Sequence, residues 1–263
     1  MRNGGKKAEN RPFTIILVII LTMLSVYFFA VYIAYPRYMH NRLIRLEYNV
    51  YGGLTDELKK SELFKDMESG KSFCFVGDSI TKGNEIYGIH WYEPLIPYIR
   101  GNISDFSHGG WTVSDLVKRK SRLPSSDIYV VAIGINDVMH PDSVRSAATA
   151  EDYVQSIRQL TESIVSVSPN AKIYFIAPWA LPGWDEGTIE RGRQFRSALK
   201  DCCGADKNIY IDPEPVIMSV LNDKGSSVFM KDGCHPNAAA GVGLYSYAVL
   251  SADYKRTNCV NFA

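Results

Sequence analysis

The chain has 263 residues, of which 46% are hydrophobic and 22% are charged, a composition typical of a globular protein with one large or two small domains. Its formal net charge of +1 provides no surplus of basic residues to neutralise phosphates, which argues against a general nucleic-acid binder. The five cysteines form no C-x-x-C pair and have no companion cluster of histidines, so we expect no metal ion. A disulfide bond that involves Cys202, Cys203 or Cys259 stays open from the sequence.

The first predicted element is a transmembrane helix over residues 13–35, a run without any charged side chain. At helical rise, a run of this length crosses the hydrocarbon core of a bilayer. A cleaved signal peptide is one alternative, but its apolar region is typically about 7 to 15 residues long and ends at a small-x-small cleavage site. A buried core helix is the other, but this helix is apolar on all sides and has basic residues at both flanks.

Basic residues near the two ends of this helix predict its orientation. They are slightly more numerous before the helix than after it, which favours a cytoplasmic N-terminus. Those before it are Arg2, Lys6, Lys7 and Arg11, and those after it are Arg37, Arg42 and Arg45. We expect a single-pass membrane protein with a cytoplasmic tail at residues 1–12, a juxtamembrane linker at residues 36–70 and an extracytoplasmic domain at residues 71–263.

Beyond residue 70, short β-branched or aromatic runs alternate with helical patterns, and this order predicts a parallel sheet with helices on both faces. We predict strands at residues 72–76, 127–133, 172–177 and 208–211, and a weaker one at residues 103–106. The clearest helix spans residues 151–167, with Thr149 and Asp152 as a capping box. Pro236 is expected to open a last helix that runs to about residue 252. The predicted fold class is α/β, a three-layer α/β/α sandwich around a parallel sheet.

Four short motifs in this domain carry residue types that catalyse acyl transfer. They are Gly77-Asp78-Ser79-Ile80, Gly110-Trp111-Thr112, Gly134-Ile135-Asn136-Asp137 and Asp232-Gly233-Cys234-His235. Ser79 follows the first predicted strand, at the carboxyl edge where ligands bind to parallel α/β sheets. A serine hydroxyl needs a base within hydrogen-bond reach and a third group to orient that base. Asp232 and His235, three residues apart on a turn, are suited to both roles.

Glycine and asparagine in the middle two motifs are suited to binding an oxyanion. The backbone N–H of Gly110 approaches a ligand closely because no side chain intervenes, and the amide of Asn136 is a neutral donor. Each motif by itself is better explained as a turn, a helix cap or a helix start. Their joint occurrence, in order and at predicted strand ends, favours a catalytic site.

The four motifs resemble the blocks of the SGNH hydrolase family, also called GDSL esterases and lipases, over residues 72–250. This resemblance implies an SGNH, flavodoxin-like fold, with Ser79 as the nucleophile and with Asp232 and His235 completing a triad. It also implies an oxyanion hole formed by Ser79, Gly110 and Asn136, and no cofactor. Asp105 stands where the family commonly has an asparagine. The nucleophile elbow of α/β-hydrolases is excluded, because it requires glycine where this chain has Thr81.

The expected activity is hydrolysis of a small acyl ester, with acetyl as the favoured acyl group, on an extracytoplasmic glycan or a related small molecule. Three alternatives stay open: a polysaccharide O-acetyltransferase with the same triad, a lysophospholipase or thioesterase, and a non-catalytic envelope assembly protein. Four tryptophans near predicted strand ends would either stack on sugar rings or pack in the core. They are Trp91, Trp111, Trp179 and Trp184. The sequence does not predict the oligomeric state.

Overall fold

The computed structural model describes residues 11–34, 48–86 and 88–258, and the chain divides into two compact units between residues 47 and 48. In the first unit, helix α1 (Arg11–Phe29) continues into a π-helical turn at Ala30–Ala34. Its segment Ile15–Tyr32 has a mean hydropathy of 2.6 and is not buried within the protein. By length and composition this helix is able to cross a membrane, although a signal sequence has the same properties. Most of the predicted tail, and residues 35–47, lie outside the described residues.

The second unit is built on five parallel strands in the order β2-β1-β3-β4-β5. In chain order they are β1 (Phe73–Gly77), β2 (Ile103–Ser107), β3 (Ile128–Ala132), β4 (Lys172–Ile176) and β5 (Ile209–Ile211). Every residue of β1 and β3 is buried, as expected for central strands that are covered on both faces. All five predicted strands are confirmed.

Helices cover both faces of this sheet. Because side chains alternate along a strand, Phe73 and Phe75 face one layer, whereas Cys74 and Val76 face the other. The first layer contains α2 (Glu62–Met67), α8 (Glu214–Lys224) and α10 (Gly241–Asn258). The second contains α4 (Val113–Lys118), α6 (Ala150–Val167) and α7 (Glu186–Asp206). Short helices α3 (Ser79–Lys82), α5 (Ile135–Met139) and α9 (Ser226–Phe229) lie between these elements. The predicted three-layer α/β/α sandwich is therefore confirmed.

Residues 48–70 pack into the second unit, which differs from the predicted juxtamembrane linker at residues 36–70. Leu63, Phe64 and Met67 on α2 are fully buried against the sheet. The buried carboxylate of Asp253, on α10, accepts a hydrogen bond from the backbone N–H of Leu63 at 2.7 Å. Asp253 is 190 positions away in the chain, so no local sequence pattern indicates this contact.

The last helix begins later than predicted. Pro236 forms an isolated antiparallel bridge with Met230, and α10 starts only at Gly241. The side chain of Asn237 accepts hydrogen bonds from the N–H groups of Ala240 and Gly241, at 2.9 Å and 3.1 Å. Asn237 thus caps the helix, and the segment after His235 is a short bridge and turn. The helix ends at Asn258, beyond the predicted residue 252. The capping box of Thr149 and Asp152 at α6 is confirmed.

The cysteines of the described residues are buried and carry free thiols: Cys74, Cys202, Cys203 and Cys234. Burial raises the pKa of Cys74 and of Cys203 to about 12, so both thiols stay protonated at neutral pH. Cys259 lies outside the described residues. Within the part of the chain that is described, no three His, Cys, Asp or Glu side chains converge as metal ligands would.

Candidate active site

The carboxyl ends of three neighbouring strands bring three of the four motifs to one edge of the sheet. Gly77, the last residue of β1, pairs with Ser107 on β2 and with Ala132 on β3. Gly77 is required here, because a Cβ atom at this position would lie 2.5 Å from the carbonyl oxygen of Ala132. Ser79, Gly110 and Asn136 follow these three strand ends within a few residues.

Ser79 is the first residue of α3, and the residue before it fixes this start. The carboxylate of Asp78 accepts a hydrogen bond from the N–H of Ile80 at 3.0 Å and so caps the helix. Gly83, with a φ of 68°, ends the helix after a single turn. Burial raises the pKa of Asp78 to about 7, and the nearby charge of Asp137 adds to this effect. Ser79 itself is 8% exposed at the surface of the site.

The Asp232–His235 turn places an imidazole against this serine. The Nε2 atom of His235 lies 2.9 Å from the Oγ atom of Ser79. Its Nδ1 atom lies 2.9 Å from Oδ2 of Asp232. Because an ionised carboxylate only accepts hydrogen bonds, Nδ1 carries the proton of a neutral imidazole and Nε2 presents its lone pair to the hydroxyl. The structure thus brings together the serine, histidine and aspartate that the sequence singled out.

Hydrogen bonds keep the carboxyl group of Asp232 ionised. Burial acts to raise the pKa of Asp232, but the backbone N–H groups of His235 and Cys234 and the His235 imidazole together hold it below its usual range. The two backbone bonds, both to Oδ1, measure 2.7 Å and 2.8 Å. A turn of four residues therefore supplies both the negative charge and the geometry that orient the imidazole.

Trp184 contacts this turn from the loop before α7. Its indole Nε1 donates a hydrogen bond to the carbonyl oxygen of Gly233 at 2.8 Å. Its ring is half-buried and packs against both core clusters. The sequence named this tryptophan only as a sugar-stacking or core residue, because no local pattern indicates a bond to a turn 49 positions later. Trp91 and Trp179 are core residues, with 1% and 3% exposure.

Gly110 and Asn136 follow the two strands that flank the serine strand β1, Gly110 after β2 and Asn136 after β3. The Nδ2 atom of Asn136 donates a hydrogen bond to the carbonyl oxygen of Trp111 at 2.9 Å. This bond uses one of the two N–H groups of the amide and holds its plane in place. Gly110 has a φ of 72°, a left-handed conformation that favours glycine. Asn136 is therefore linked to the segment of Gly110 through the backbone of Trp111, the residue that follows this glycine.

A cavity of about 500 Å³ adjoins Gly110 and Asn136. Most of its wall is the chain that follows α5, and most of its side chains are polar. The lining consists of Gly110, Thr112, Asn136, Met139, His140, Pro141, Asp142, Ser143, Arg145 and Ser146. This volume falls within the range of about 300 to 1,000 Å³ that is usual for sites that bind small molecules.

The fold and the serine at its sheet edge define an ester-cleaving serine hydrolase. The family model described as the GDSL-like Lipase/Acylhydrolase family matches residues 75–240, and the chain belongs to this family. The matched range contains the motifs of Ser79, Gly110 and Asn136 and the Asp232–His235 turn. The membership expected from these motifs is thereby confirmed.

Solved structures of low sequence identity share the fold of the second unit. The acetylxylan esterase Axe2 from Geobacillus stearothermophilus is 19% identical, with a TM-score of 0.61, covering 72% of this chain and 96% of that one. A putative GDSL-like lipase from Parabacteroides merdae is 19% identical, with a TM-score of 0.62, covering 71% and 97%. LAE5, an α/β hydrolase enzyme from the metagenome of Lake Arreo, Spain, is 20% identical, with a TM-score of 0.58, covering 70% and 95%. A comparison with curated proteins found no match.

Proposed function

We propose that this chain is a membrane-anchored serine esterase in which Ser79, His235 and Asp232 form the catalytic triad. The observation that carries the proposal is the chain of two 2.9 Å contacts, from Ser79 Oγ to His235 Nε2 and from His235 Nδ1 to Asp232. The Oγ atom of Ser79 attacks the ester carbonyl carbon while its proton passes to Nε2. The imidazolium then gives this proton to the leaving alcohol, and an acyl-enzyme remains. Water, activated by the same imidazole, releases the acid and restores the serine.

The oxyanion of each tetrahedral intermediate is bound by the N–H groups of Ser79 and Gly110 and by the amide of Asn136. Ser79 is the first residue of α3, and the first N–H groups of a helix have no partner within the helix. The bond from Asn136 to Trp111 supports its role, because the amide does not have to reorient when charge develops. Electrostatic stabilisation by donors fixed in advance is usually the largest single contribution to acyl-transfer catalysis.

The acetylxylan esterase Axe2 supports these assignments by analogy. Structures of its variants described as catalytic mutants replace a serine, an aspartate and a histidine by alanine. In that enzyme the aspartate precedes the histidine by three positions, which is also the spacing between Asp232 and His235. The shared fold and the shared spacing support the proposal that this chain also carries the aspartate and histidine of its triad on one short turn.

The proposed substrate carries a small acyl group, with acetyl favoured, on a glycan or a related polar alcohol outside the cytoplasm. The polar cavity beside Gly110 and Asn136 favours this substrate over a lipid, because a long acyl chain binds by burial of apolar surface. Only Met139 and Pro141 among the lining residues carry large apolar side chains. Helix α1 would anchor the chain in the membrane with its N-terminus in the cytoplasm, so that the enzyme meets envelope or extracellular glycans.

Hydrolysis is favoured over transfer to a second sugar because the histidine and the aspartate of the triad are exposed to solvent. The side chain of Asp232 is 43% exposed, and that of His235 is 21% exposed. An O-acetyltransferase with the same triad has to keep water away from the acyl-enzyme until its acceptor binds. The non-catalytic alternative is disfavoured because the hydrogen bonds that activate a serine are in place.

The proposal is tested by hydrolysis of p-nitrophenyl esters from acetyl to decanoyl, with the full chain in detergent micelles and Ser79→Ala as the control. We expect turnover that is highest for the acetyl ester, falls with chain length and is lost in the variant. Turnover that rises with chain length would move the assignment to a lipase or thioesterase. A folded protein that labels at Ser79 but transfers acetyl only to an added oligosaccharide would be a transferase.

A further inference from the structure

The wall of the cavity is a loop that is bonded directly to the two motifs proposed to bind the oxyanion. We call residues 140–149, between α5 and α6, the cavity loop. The hydroxyl of Thr112 donates a hydrogen bond to the carbonyl oxygen of Arg145 at 2.8 Å. The hydroxyl of Ser146 donates to the carbonyl oxygen of Asn136 at 3.4 Å. The loop is therefore positioned by the segments that contain Gly110 and Asn136.

A buried carboxylate and an arginine fix the end of the cavity loop. The carboxylate of Asp137 is fully buried and accepts hydrogen bonds from the N–H of Ala147, at 2.9 Å, and from that of Val113, at 3.1 Å. From α7, the guanidinium of Arg191 donates to the carbonyl oxygens of Ala147 and Ala148. The loop thus satisfies its backbone groups through bonds to two helices. A loop held in this way keeps the shape of the cavity when no ligand is bound.

The side chain of Arg145, in the cavity loop, is oriented by an ion pair with Asp115. Its Nη1 atom lies 3.4 Å from Oδ2 of Asp115, whose own side chain is only 6% exposed. Asp115 is bound at its other oxygen by Arg119, at 3.0 Å, and Arg119 lies over the ring of Trp111. The side chain of Arg145 remains 54% exposed, and Arg145 lines the cavity. Because a guanidinium has five N–H donors in a rigid fork, its contact with Asp115 leaves donors that point away from that carboxylate.

The chemistry of the lining matches a neutral molecule with several hydroxyl groups. The cavity is lined by one cation, Arg145, and one anion, Asp142, so it has no strong preference for either charge. It also contains the hydroxyls of Thr112, Ser143 and Ser146. Those of Thr112 and Ser146 donate their protons to the carbonyl oxygens of Arg145 and Asn136 and keep lone pairs that accept hydrogen bonds from a ligand. Each hydroxyl of a sugar likewise both donates and accepts.

We propose that this cavity binds a neutral sugar unit of the acylated substrate and that Arg145 is its specificity-determining residue. The inference rests on the proposed esterase function, since it places the sugar beside the Gly110 and Asn136 donors that hold the oxyanion. Hydrogen bonds from Arg145 to sugar hydroxyls contribute to binding of the saccharide. A small aryl acetate has no hydroxyl groups with which to make these bonds.

The experiment compares two substrates, p-nitrophenyl acetate and partly O-acetylated neutral xylo-oligosaccharides, with the full chain in detergent. Arg145→Gln is predicted to lower kcat/KM for the oligosaccharide, relative to that for the aryl ester, by about 10-fold to 100-fold, as expected for loss of bonds from a charged donor. The change should lie mainly in KM. Arg158→Gln is the matched control, because Arg158 is similarly exposed and paired, but on α6 with Asp206. For Arg158→Gln, the ratio of kcat/KM for the oligosaccharide to kcat/KM for p-nitrophenyl acetate should equal that of the wild type.

The outcomes separate this inference from the proposed function. If wild-type activity depends on Ser79 but the ratio is unchanged in Arg145→Gln, the cavity inference is overturned and the esterase stands. If neither substrate is hydrolysed in a Ser79-dependent manner, the esterase function fails. A wild-type preference for O-acetylated uronic acid oligosaccharides that Arg145→Gln abolishes would overturn the assignment to a neutral sugar. A selective loss on the neutral oligosaccharide supports the inference.

Discussion

The turn that carries Asp232 and His235 is held mostly by bonds within itself, whereas the segments that carry Gly110 and Asn136 are held by side chains from distant helices. On the first side, one carboxylate binds both the backbone and the imidazole of its own turn, and Trp184 adds one bond from outside. On the second side, Asp137 and Arg191 connect α5, α4, α7 and the cavity loop.

This difference matches the two tasks proposed for the site. A general base moves one proton, and its geometry is set within a short turn because both partners of the imidazole are close by. An oxyanion hole has to present donors at fixed points in space, and its strength depends on their not reorienting during the reaction. Bonds to several helices provide that rigidity. Substitutions on the two sides should therefore have different effects on activity and on the stability of the fold.

The largest effect within this comparison is expected from Asn136→Leu, which removes the amide donor and keeps a side chain of similar size. The bond from Asn136 to the carbonyl oxygen of Trp111 is lost as well. We expect kcat for p-nitrophenyl acetate to fall by about 10²-fold to 10³-fold with little change in KM, because the bond to the oxyanion forms only as charge develops. Steady-state kinetics measure this. A rise in KM with unchanged kcat would show instead that Asn136 binds the substrate in its ground state.

Asp137→Asn should destabilise the segments that carry Gly110 and Asn136 and lower the stability of the fold. An amide offers one oxygen where the carboxylate accepts from both Val113 and Ala147, so one N–H group would face an NH₂ group. The free energy of unfolding should fall by about 2 kcal/mol or more, the cost of leaving a buried donor unsatisfied. Urea unfolding followed by tryptophan fluorescence measures the loss. Stability equal to the wild type would show that these bonds are not what fixes the cavity loop.

Asp78→Asn is expected to stabilise the protein at alkaline pH. Burial raises the pKa of Asp78 to about 7, whereas in the unfolded chain it is about 3.9. Between these values the native state keeps a proton that the unfolded state has released, so the stability of the wild type falls as pH rises through this window.

The variant has no such proton to lose, while its amide oxygen still accepts from the N–H of Ile80. Relative to the wild type, its free energy of unfolding should therefore rise by about 2 kcal/mol between pH 5 and pH 8. Urea unfolding at both pH values gives the comparison. A constant difference across this window would mean that Asp78 ionises normally.

Trp184→Phe should have the smallest effect on activity and stability, and it should act only on the turn that carries Asp232 and His235. The substitution removes the N–H donor to Gly233 but retains an aromatic ring for packing. We expect kcat to fall several-fold and the free energy of unfolding to fall by about 1 kcal/mol, the usual net value of one hydrogen bond. The pH dependence of kcat/KM should also shift, because the imidazole is less well oriented towards Asp232. An unshifted pH profile would limit Trp184 to packing.

Most of the fold could be predicted from the sequence, as could the candidate site residues that the structure brings together. The buried strands are runs of β-branched and aromatic residues, and the helix at Ala150–Val167 has its own capping box, so local chemistry specifies both. Ser79, Asn136 and the Asp232–His235 turn lie in short motifs whose residue types are needed together. Parallel strands bring the motifs of Ser79, Gly110 and Asn136 to one edge, whereas the Asp232–His235 turn follows a helix and is placed there by the tertiary fold.

What could not be predicted depends on contacts between distant positions. The docking of α2 requires Asp253, and the bond from Trp184 to Gly233 joins two loops, neither of which has a local signature. Pro236 predicts a helix start at its own position, because proline is common in the first turn of helices, whereas α10 begins at Gly241. The side chain of Asn237 sets the helix start instead, because it accepts hydrogen bonds from the N–H groups of Ala240 and Gly241.

The most direct test of the central claim is the rate at which a fluorophosphonate probe labels the full chain, with the labelled residue identified by mass spectrometry. If His235 activates Ser79, the wild type should label at Ser79, and Ser79→Ala should not label. His235→Gln should label more slowly by about 10³-fold or more, because the serine has lost its base. Labelling at another residue, or labelling of His235→Gln at the wild-type rate, would contradict the proposed triad.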